Sequence, residues 1–366
     1  MRFALLAAVA GLGAAPAQAQ DRDYRINPLL LFEFPAQFTA EVELADVDGD
    51  GDLDVLAANG RHWAQQDLVH INAGNGRLLE ARPIGGLSAS YVIRAGDLDG
   101  DGDADIVVVR DTLPAMVFHN DGAGHFEIAS ELSGSGGAAR GARLADLNGD
   151  GVLDLVIARR RDADLAFLGD GRGGFGAARE LPGTGGASTD IAAADIDGDG
   201  DTDLLVASRD GDPSLVLLND GSAAFVAAAL PDSEGDNRKS VVADFDADGA
   251  IDLVLGSVEG GLRLYRGDGA GSFTPGDIFA AGAGPVQALI AADVDGDGAV
   301  DLVQGTEELP NSVHWNDGHG VFATQRLDAE PADTYGVAVG DMDGDGRPDI
   351  VFANSQSPNE VIFGRE

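Results

Sequence analysis

Seven times the chain sets oxygen-bearing side chains at alternate positions of a nine-residue stretch, Asp-x-(Asp/Asn)-x-Asp-Gly-x-x-Asp. The copies start at Asp46, Asp97, Asp146, Asp195, Asp244, Asp293 and Asp341. The chemistry of such a stretch is hard-cation binding, because Ca2+ takes about six to eight oxygens at about 2.3–2.6 Å and a short acidic loop wraps its carboxylates round one point. Positions one, three, five and nine are the side-chain donors: Asp46, Asp48, Asp50 and Asp54 in the first loop, then Asp97, Asp99, Asp101 and Asp105. They continue as Asp146, Asn148, Asp150 and Asp154; Asp195, Asp197, Asp199 and Asp203; and Asp244, Asp246, Asp248 and Asp252. Asp293, Asp295, Asp297 and Asp301, and Asp341, Asp343, Asp345 and Asp349, complete the set. Position seven is Asp52, Asp103, Val152, Asp201, Ala250, Ala299 or Arg347. These share no side-chain chemistry, so this position is expected to give its backbone carbonyl.

Up to seven Ca2+ are therefore expected, and Mg2+ suits the loops less because it dehydrates reluctantly. Four carboxylates crowded together repel one another unless a cation screens them. Loop three, with Asn148, and loop five, with Ala247 at position four, are expected to differ in affinity from the rest. An EF-hand is excluded, since position twelve reads Ala57, Val108, Ile157, Val206, Leu255, Gln304 and Phe352 and never offers the bidentate Glu that motif requires.

Such loops need stiff elements on either side. The starts lie 51, 49, 49, 49, 49 and 48 residues apart, so every loop occupies the same place in a repeat. Apolar residues recur with period two rather than 3.6, which predicts strands. A first strand is expected over 41–45, 91–96, 241–243, 289–292 and 336–340, and a second starts at position nine of each loop with branched apolar residues. A third strand leads into an Asn-Asp-Gly turn at 120–122, 219–221 and 316–318, which supplies the positive φ a hairpin needs, and a fourth follows. Position two is always apolar (Val47, Leu98, Leu147, Ile196, Phe245, Val294, Met342) and is expected to cap the core of its unit.

Four-stranded units of this length, repeated radially, predict an all-β fold: a seven-bladed β-propeller spanning 20–366, with no second domain. The last copy is followed after its third strand only by Gly364, Arg365 and Glu366, while residues 29–34 form a spare apolar run ahead of the first copy. The N-terminal strand is expected to complete the last blade and hide two edges that an open solenoid would leave bare.

The motif, its strand context and the blade-like repeat resemble the FG-GAP, or VCBS, repeat proteins, among them the integrin alpha-subunit propellers. The resemblance covers all of 20–366. It implies calcium in the loop joining the first two strands of each blade. It leaves function open, because such propellers serve in adhesion, in carbohydrate recognition and as parts of polysaccharide-active enzymes. The Phe-Gly and Gly-Ala-Pro landmarks of the integrin version are largely missing, which places the chain nearer the shorter bacterial type.

Residues 1–19 read as a secretory signal peptide, with Arg2, an apolar run and Ala17-Gln18-Ala19, so the protein is expected to be exported, to the periplasm or beyond the cell. No later segment is apolar enough to span a membrane, and with no cysteine anywhere no disulfide framework is available. The net charge of -40 excludes a general nucleic-acid surface. A monomer is expected.

The variable loops lie on the face away from the acidic ones and carry most of the basic residues. Arg61, His62 and Trp63 share the longest; Arg159, Arg160 and Arg161 form a run; Arg238 and Tyr335 lie near strand starts. These are the candidates for a ligand site, reading an anionic or sugar ligand by Arg forks and aromatic stacking. His119, His125, His314 and His319 fall at repeated hairpin positions and are expected at the surface. Arg266-Gly267-Asp268 falls in a repeated turn and is read as coincidence. No nucleophile elbow, phosphate loop or zinc helix is present. The reading is a binding module for a carbohydrate or protein ligand, with no catalytic residue assigned; the alternative is a polysaccharide lyase or hydrolase on the same scaffold.

Overall fold

The computed structural model describes residues 25–33, 35–327 and 331–364, and the leader read at 1–19 lies outside them. Its regular elements are 28 strands in seven four-stranded antiparallel sheets. Six sheets take their strands consecutively along the chain; in blade one these are Thr39–Ala45, Asp54–Asn59, Gln65–Asn72 and Leu78–Ser88. The first strands of successive blades touch one another all the way round, and that of blade seven touches that of blade one, so the sheets form a closed ring about a channel.

Blade seven has three strands from the C-terminal end, Asp333–Gly340, Asp349–Ser355 and Asn359–Phe363. Its fourth is the N-terminal strand Arg25–Phe32, antiparallel to the last with Arg25 opposite Phe363 and Phe32 opposite Asn359. The expected closure is present, although the strand begins before residue 29. Second strands are buried along almost their whole length because each is covered on both faces by neighbouring blades, which is why they read as unbroken apolar runs. The seam between blades seven and one is built like the others: Phe32, Val351, Val361 and Phe363 pack against Val42 and Val55.

Glu33, immediately after the closing strand, is buried and left-handed at φ 70°. Its carboxylate accepts hydrogen bonds from Thr39 Oγ1 (3.1 Å) and Asn59 Nδ2 of blade one and from Asn359 Nδ2 of blade seven. One side chain thus ties both sides of the seam.

Another buried acid recurs at the corner between second and third strands. Asp67 accepts from Asn59 N (2.7 Å), Ser90 Oγ (2.7 Å) and Ser88 Oγ (3.2 Å), and Asp164 accepts from Arg159 N (2.7 Å) and Ser188 Oγ (2.7 Å). In blades six and seven the same backbone N–H is bonded by a neutral amide, Asn311 or Asn359. Burial pushes both Asp67 and Asp164 up to about 7.

Two expectations follow. Glu33→Ala removes the acceptor shared by Thr39, Asn59 and Asn359, leaving the two amides only Gln66 O and Thr39 Oγ1, and should lower unfolding stability by about 2–4 kcal/mol; an unchanged denaturation midpoint would remove the latch. Between pH 4 and 7 the folded chain holds protons on Asp67 and Asp164 that the unfolded chain has released, so their contribution makes stability fall as pH rises through that window. The pair Asp67→Asn and Asp164→Asn should therefore gain melting temperature relative to wild type at pH 8 and lose that advantage towards pH 4. An advantage independent of pH contradicts this.

Candidate functional site

The first strand of a blade does not start cleanly. In six blades its pairing with the second strand skips one residue, and the skipped residues are Ala40, Tyr91, Arg140, Thr189, Arg238 and Tyr335. A β-bulge re-aims the side chain it displaces, and all six line one cavity of about 160 Å3 at the mouth of the channel. Blade six contributes Gln287, just ahead of its first strand Ala288–Ala292. These seven residues each lie six positions before the first Asp of their acidic loop, so the cavity carries one residue from every repeat. Where Gly follows the bulge, the inner strands come too close for a side chain: a Cβ at Gly336 would lie 2.6 Å from Glu41 Cα.

The corners after the second strands add a rim of Arg61, His62, Arg160 and Arg209. Several of these corners hold non-glycine residues in the left-handed region, including Arg61 (φ 50°), Thr112 (φ 61°), Arg161 (φ 84°), Asp210 (φ 60°) and Glu308 (φ 60°). Such strain gathers at binding sites, where the surrounding structure holds it. With Lys239, six cationic side chains line the mouth. Acids orient several of them: Arg238 Nε lies 2.8 Å and Arg209 Nε 3.5 Å from Asp236, and Arg140 Nη1 lies 3.0 Å from Asp111. Arg61 instead lies over the Tyr335 ring, 3.5 Å from its centroid, and has no ion-pair partner among the described residues.

Ala40 leaves a gap in the ring, and Tyr335 and Tyr91 belong to the blades on either side of it. Tyr335 donates to Glu307 Oε1 at 2.7 Å, and burial, reinforced by that bond, pushes its phenol up to about 12. Tyr91 Oη lies 2.7 Å from His62 Nε2, and His62 Nδ1 lies 2.9 Å from Asp111 Oδ2. Burial raises the Tyr91 phenol. Burial also works to raise the Asp111 carboxyl, but the bonds from His62 and Arg140 outweigh it and hold the group below its ordinary value. A second cavity of about 190 Å3 continues down the channel, where Arg94 pairs with Glu41 (2.7 Å) and Glu43 (3.1 Å).

The acidic loops lie with the turns between third and fourth strands: a Cβ on Gly122 or Gly221 would meet the carboxylate of Asp103 or Asp201. In each loop the position-nine Asp is buried, and its two oxygens accept different backbone N–H groups. Asp54 takes Val47 N (2.9 Å) and Asn72 N (2.7 Å); Asp349 takes Met342 N (2.8 Å) and Gly364 N (2.9 Å). Burial raises all seven of these carboxyls, Asp54, Asp301 and Asp349 to about 6. In six loops the position-one Asp accepts from two glycine N–H groups, as Asp46 does from Gly49 (2.8 Å) and Gly51 (3.0 Å), whereas Asp244 of loop five accepts from Asp248 N (3.2 Å) and Gly249 N (3.0 Å).

Carboxylate oxygens of positions one, three and five converge within 4.8 Å in loops one, two, four and five. Asp48 Oδ1 and Asp246 Oδ1, both at position three, are buried without a hydrogen-bond partner. Burial followed by repulsion from the adjoining carboxylate raises Asp48 and Asp197. Carboxylate oxygens brought together, with one left unsatisfied, suit a hard cation, although at loop two the His119 imidazole also reaches the group formed by Asp99 and Asp105. Each position-nine oxygen keeps a second lone pair after accepting its N–H. Loop five departs from the others, because Arg266 is ion-paired with Asp246 and Ala247 is left-handed at φ 58°.

The model of the FG-GAP-like repeat matches six overlapping stretches: 46–108, 97–157, 146–206, 195–255, 244–304 and 293–352. The chain belongs to the FG-GAP-like repeat family. A search of curated protein sequences finds none that matches it. Among solved structures this FG-GAP-like propeller is similar to a lectin of Agrocybe aegerita, described by its recognition of non-reducing terminal N-acetylglucosamine, at 20% identity over 88% of this chain and 87% of that one, with a TM-score of 0.61. It is similar to the BP39L lectin of Burkholderia pseudomallei at 16% identity over 89% and 95%, TM-score 0.69. A rhamnogalacturonan lyase of Bacillus licheniformis matches at 14% identity over 93% of this chain and 75% of that one, TM-score 0.57. At these identities the likeness is one of fold.

Of the ligand-site residues expected from sequence, Arg61, His62, Arg160, Arg238 and Tyr335 line the cavity. Three do not. Trp63 stands 65% exposed on the outer loop. Arg159 is turned into its own corner, where it bonds the carbonyls of Ala163 and Gly136. Arg161 is itself left-handed at φ 84° and is not part of the lining. Sequence reasoning passed over Arg140, Thr189 and Gln287 as cavity residues; the signal was the position six before each loop, which varies in type while its surroundings repeat. His314 corrects a second expectation: it is buried, between Gln304 Oε1 and Thr324 Oγ1 at 2.9 Å each, and burial lowers its imidazole to about 4. It occupies the column held by the buried Phe118 and Phe167 in other blades, one residue before the more exposed column of His119.

Proposed function

We propose that this FG-GAP-like propeller is an exported, calcium-stabilised binding module that takes an acidic carbohydrate at its arginine-lined mouth. One observation carries the reading. In a chain of net charge -40, six cationic side chains gather round one cavity beside a gap flanked by two tyrosines. Guanidinium forks match carboxylates, and tyrosine faces offer a sugar ring low-entropy apolar contact. Arg61 is the guanidinium with charge to spare. The lectins of similar fold are consistent with sugar binding, and the lyase of similar fold with a polysaccharide ligand. The leader-like run read at residues 1–19 supports export.

Calcium at positions one, three, five and nine, with the carbonyl of position seven, would cancel carboxylate repulsion on the other face and lock each loop to its blade. On this reading the ions hold the scaffold and the opposite face does the recognising.

Two measurements test this. Removing calcium with excess chelator should lower the melting temperature, and each site held about a hundredfold above its Kd should contribute about 2.7 kcal/mol; a melting temperature indifferent to chelator contradicts the calcium assignment. On a glycan array, uronate-containing oligosaccharides should bind in preference to neutral ones, less so at high salt. Arg61→Ala should weaken binding by about 10–100-fold while leaving the melting temperature unchanged. Equal binding of neutral and acidic sugars contradicts the reading.

A further inference from the structure

The cations of the mouth are unequally matched with acids round the ring. Arg160, Arg209 and Arg238, from blades three, four and five, all line the cavity and share two carboxylates, Asp210 and Asp236. Arg238 Nε lies 2.8 Å from Asp236 Oδ1, and Arg209 Nε lies 3.0 Å from Asp210 Oδ1 and 3.5 Å from Asp236 Oδ1. Arg160 Nη2 comes only to 3.6 Å from Asp210 Oδ2. Lys239, next in the chain to Arg238, has its own acid in Asp190 at 4.0 Å. Three guanidinium charges against two carboxylates leave one positive charge over, and it falls on Arg160. The Arg160 side chain makes no hydrogen bond among the described residues, and its Nε is buried without a partner. Arg209 donates from Nε alone. A guanidinium carries five N–H donors in a planar fork, and a buried donor left unmade is costly. An anion seated on Arg160 and Arg209 would satisfy these donors and take up the surplus charge. Past blade five the cations stop. Gln287 and Tyr335 there both bond the Glu307 carboxylate, at 2.8 and 2.7 Å.

We propose that Arg160 and Arg209 form a second anion subsite, so that the mouth reads two acidic units of one oligosaccharide chain. The inference rests on the acidic-carbohydrate reading of the same cavity, in which Arg61 and Arg140, beside the gap at Ala40, hold the first carboxylate. The second acidic unit lies towards blades three and four, because the opposite side offers Glu307 in place of a free cation. Two weak carboxylate sites joined by a sugar chain act as one strong site, since the second contact forms at the effective concentration set by the first. A ligand with a single acidic unit gains only one of the two contacts. The ligand class is therefore a polyuronate segment, and not a lone acidic sugar on a neutral glycan.

The test uses the full chain with tetramers of 4-linked galacturonate, mannuronate and glucuronate, each also methyl-esterified on all units but one, and reads affinity by calorimetry. At least one fully acidic tetramer should bind about 10²–10⁴-fold tighter than its singly acidic form. Arg160→Leu should cost that tetramer about 10–100-fold and its singly acidic form less. Arg160→Lys keeps the charge but loses the fork, and should fall between Arg160→Leu and wild type. Equal affinity for fully and singly acidic tetramers overturns the second subsite and leaves the acidic-carbohydrate reading standing, and this comparison needs neither variant. An Arg160→Leu protein of unchanged melting temperature that keeps the wild-type ratio between the two forms overturns the subsite as well. No binding of any tetramer overturns both.

Discussion

Each blade is organised by one buried carboxylate. The position-nine Asp of the acidic loop accepts the backbone N–H of position two with one oxygen and an N–H at or just past the end of the third strand with the other, in all seven copies, at 2.7–3.2 Å. That pair of bonds fixes the loop against its own sheet and turns the position-two side chain down into the core, where Val47, Phe245, Met342 and their counterparts are buried. The position-two carbonyl then faces the next blade: Val47 O accepts from Asn120 Nδ2, Leu147 O from Asn219 Nδ2, Phe245 O from Asn316 Nδ2 and, across the closing seam, Met342 O from Asn72 Nδ2, all at 2.8 Å. The loop thus joins strand to strand and blade to blade. Burial makes this acid costly to ionise; its two N–H bonds offset part of that cost, and a cation at the remaining lone pairs would offset more.

The face proposed for binding follows from the same repeat read at a different offset. Within the loop, every position but seven and eight varies little because each is constrained by backbone bonds or by the carboxylate pattern. Six residues ahead of the loop, the bulge frees one side chain per blade from sheet pairing, and nothing in the fold dictates its type. Ala40, Tyr91, Arg140, Thr189, Arg238, Gln287 and Tyr335 are therefore chemically unlike one another although they occupy one structural position. A ring built this way is asymmetric by composition, with a gap at Ala40, tyrosines beside it and guanidinium groups further round.

Much of this was legible in the sequence. The acidic repeat gave the blade count, the spare apolar run at 29–34 gave the closing strand, and the invariant apolar type at position two gave the cap. The bulges were not legible, because a one-residue slip leaves the apolar pattern of strands such as 91–96 intact and shows only in pairing. For that reason Arg140 and Gln287 passed unnoticed, while Arg159, in a run that looked like a basic patch, proved to be tied to carbonyls of its own corner. His314 misled because its type looked polar; its column, shared with Phe118, was the better guide to burial. The seam latch at Glu33 had no sequence signal at all, since its partners Asn59 and Asn359 lie at opposite ends of the chain.

The division of labour between a structural acidic face and a recognising basic mouth is tested most directly by a crystal structure of the protein with calcium and a short uronate oligomer. The account predicts the uronate over Ala40, between Tyr91 and Tyr335, with its carboxylate on the Arg61 and Arg140 guanidinium groups. A sugar bound on the acidic-loop face through the calcium ions, with the mouth empty, would contradict it.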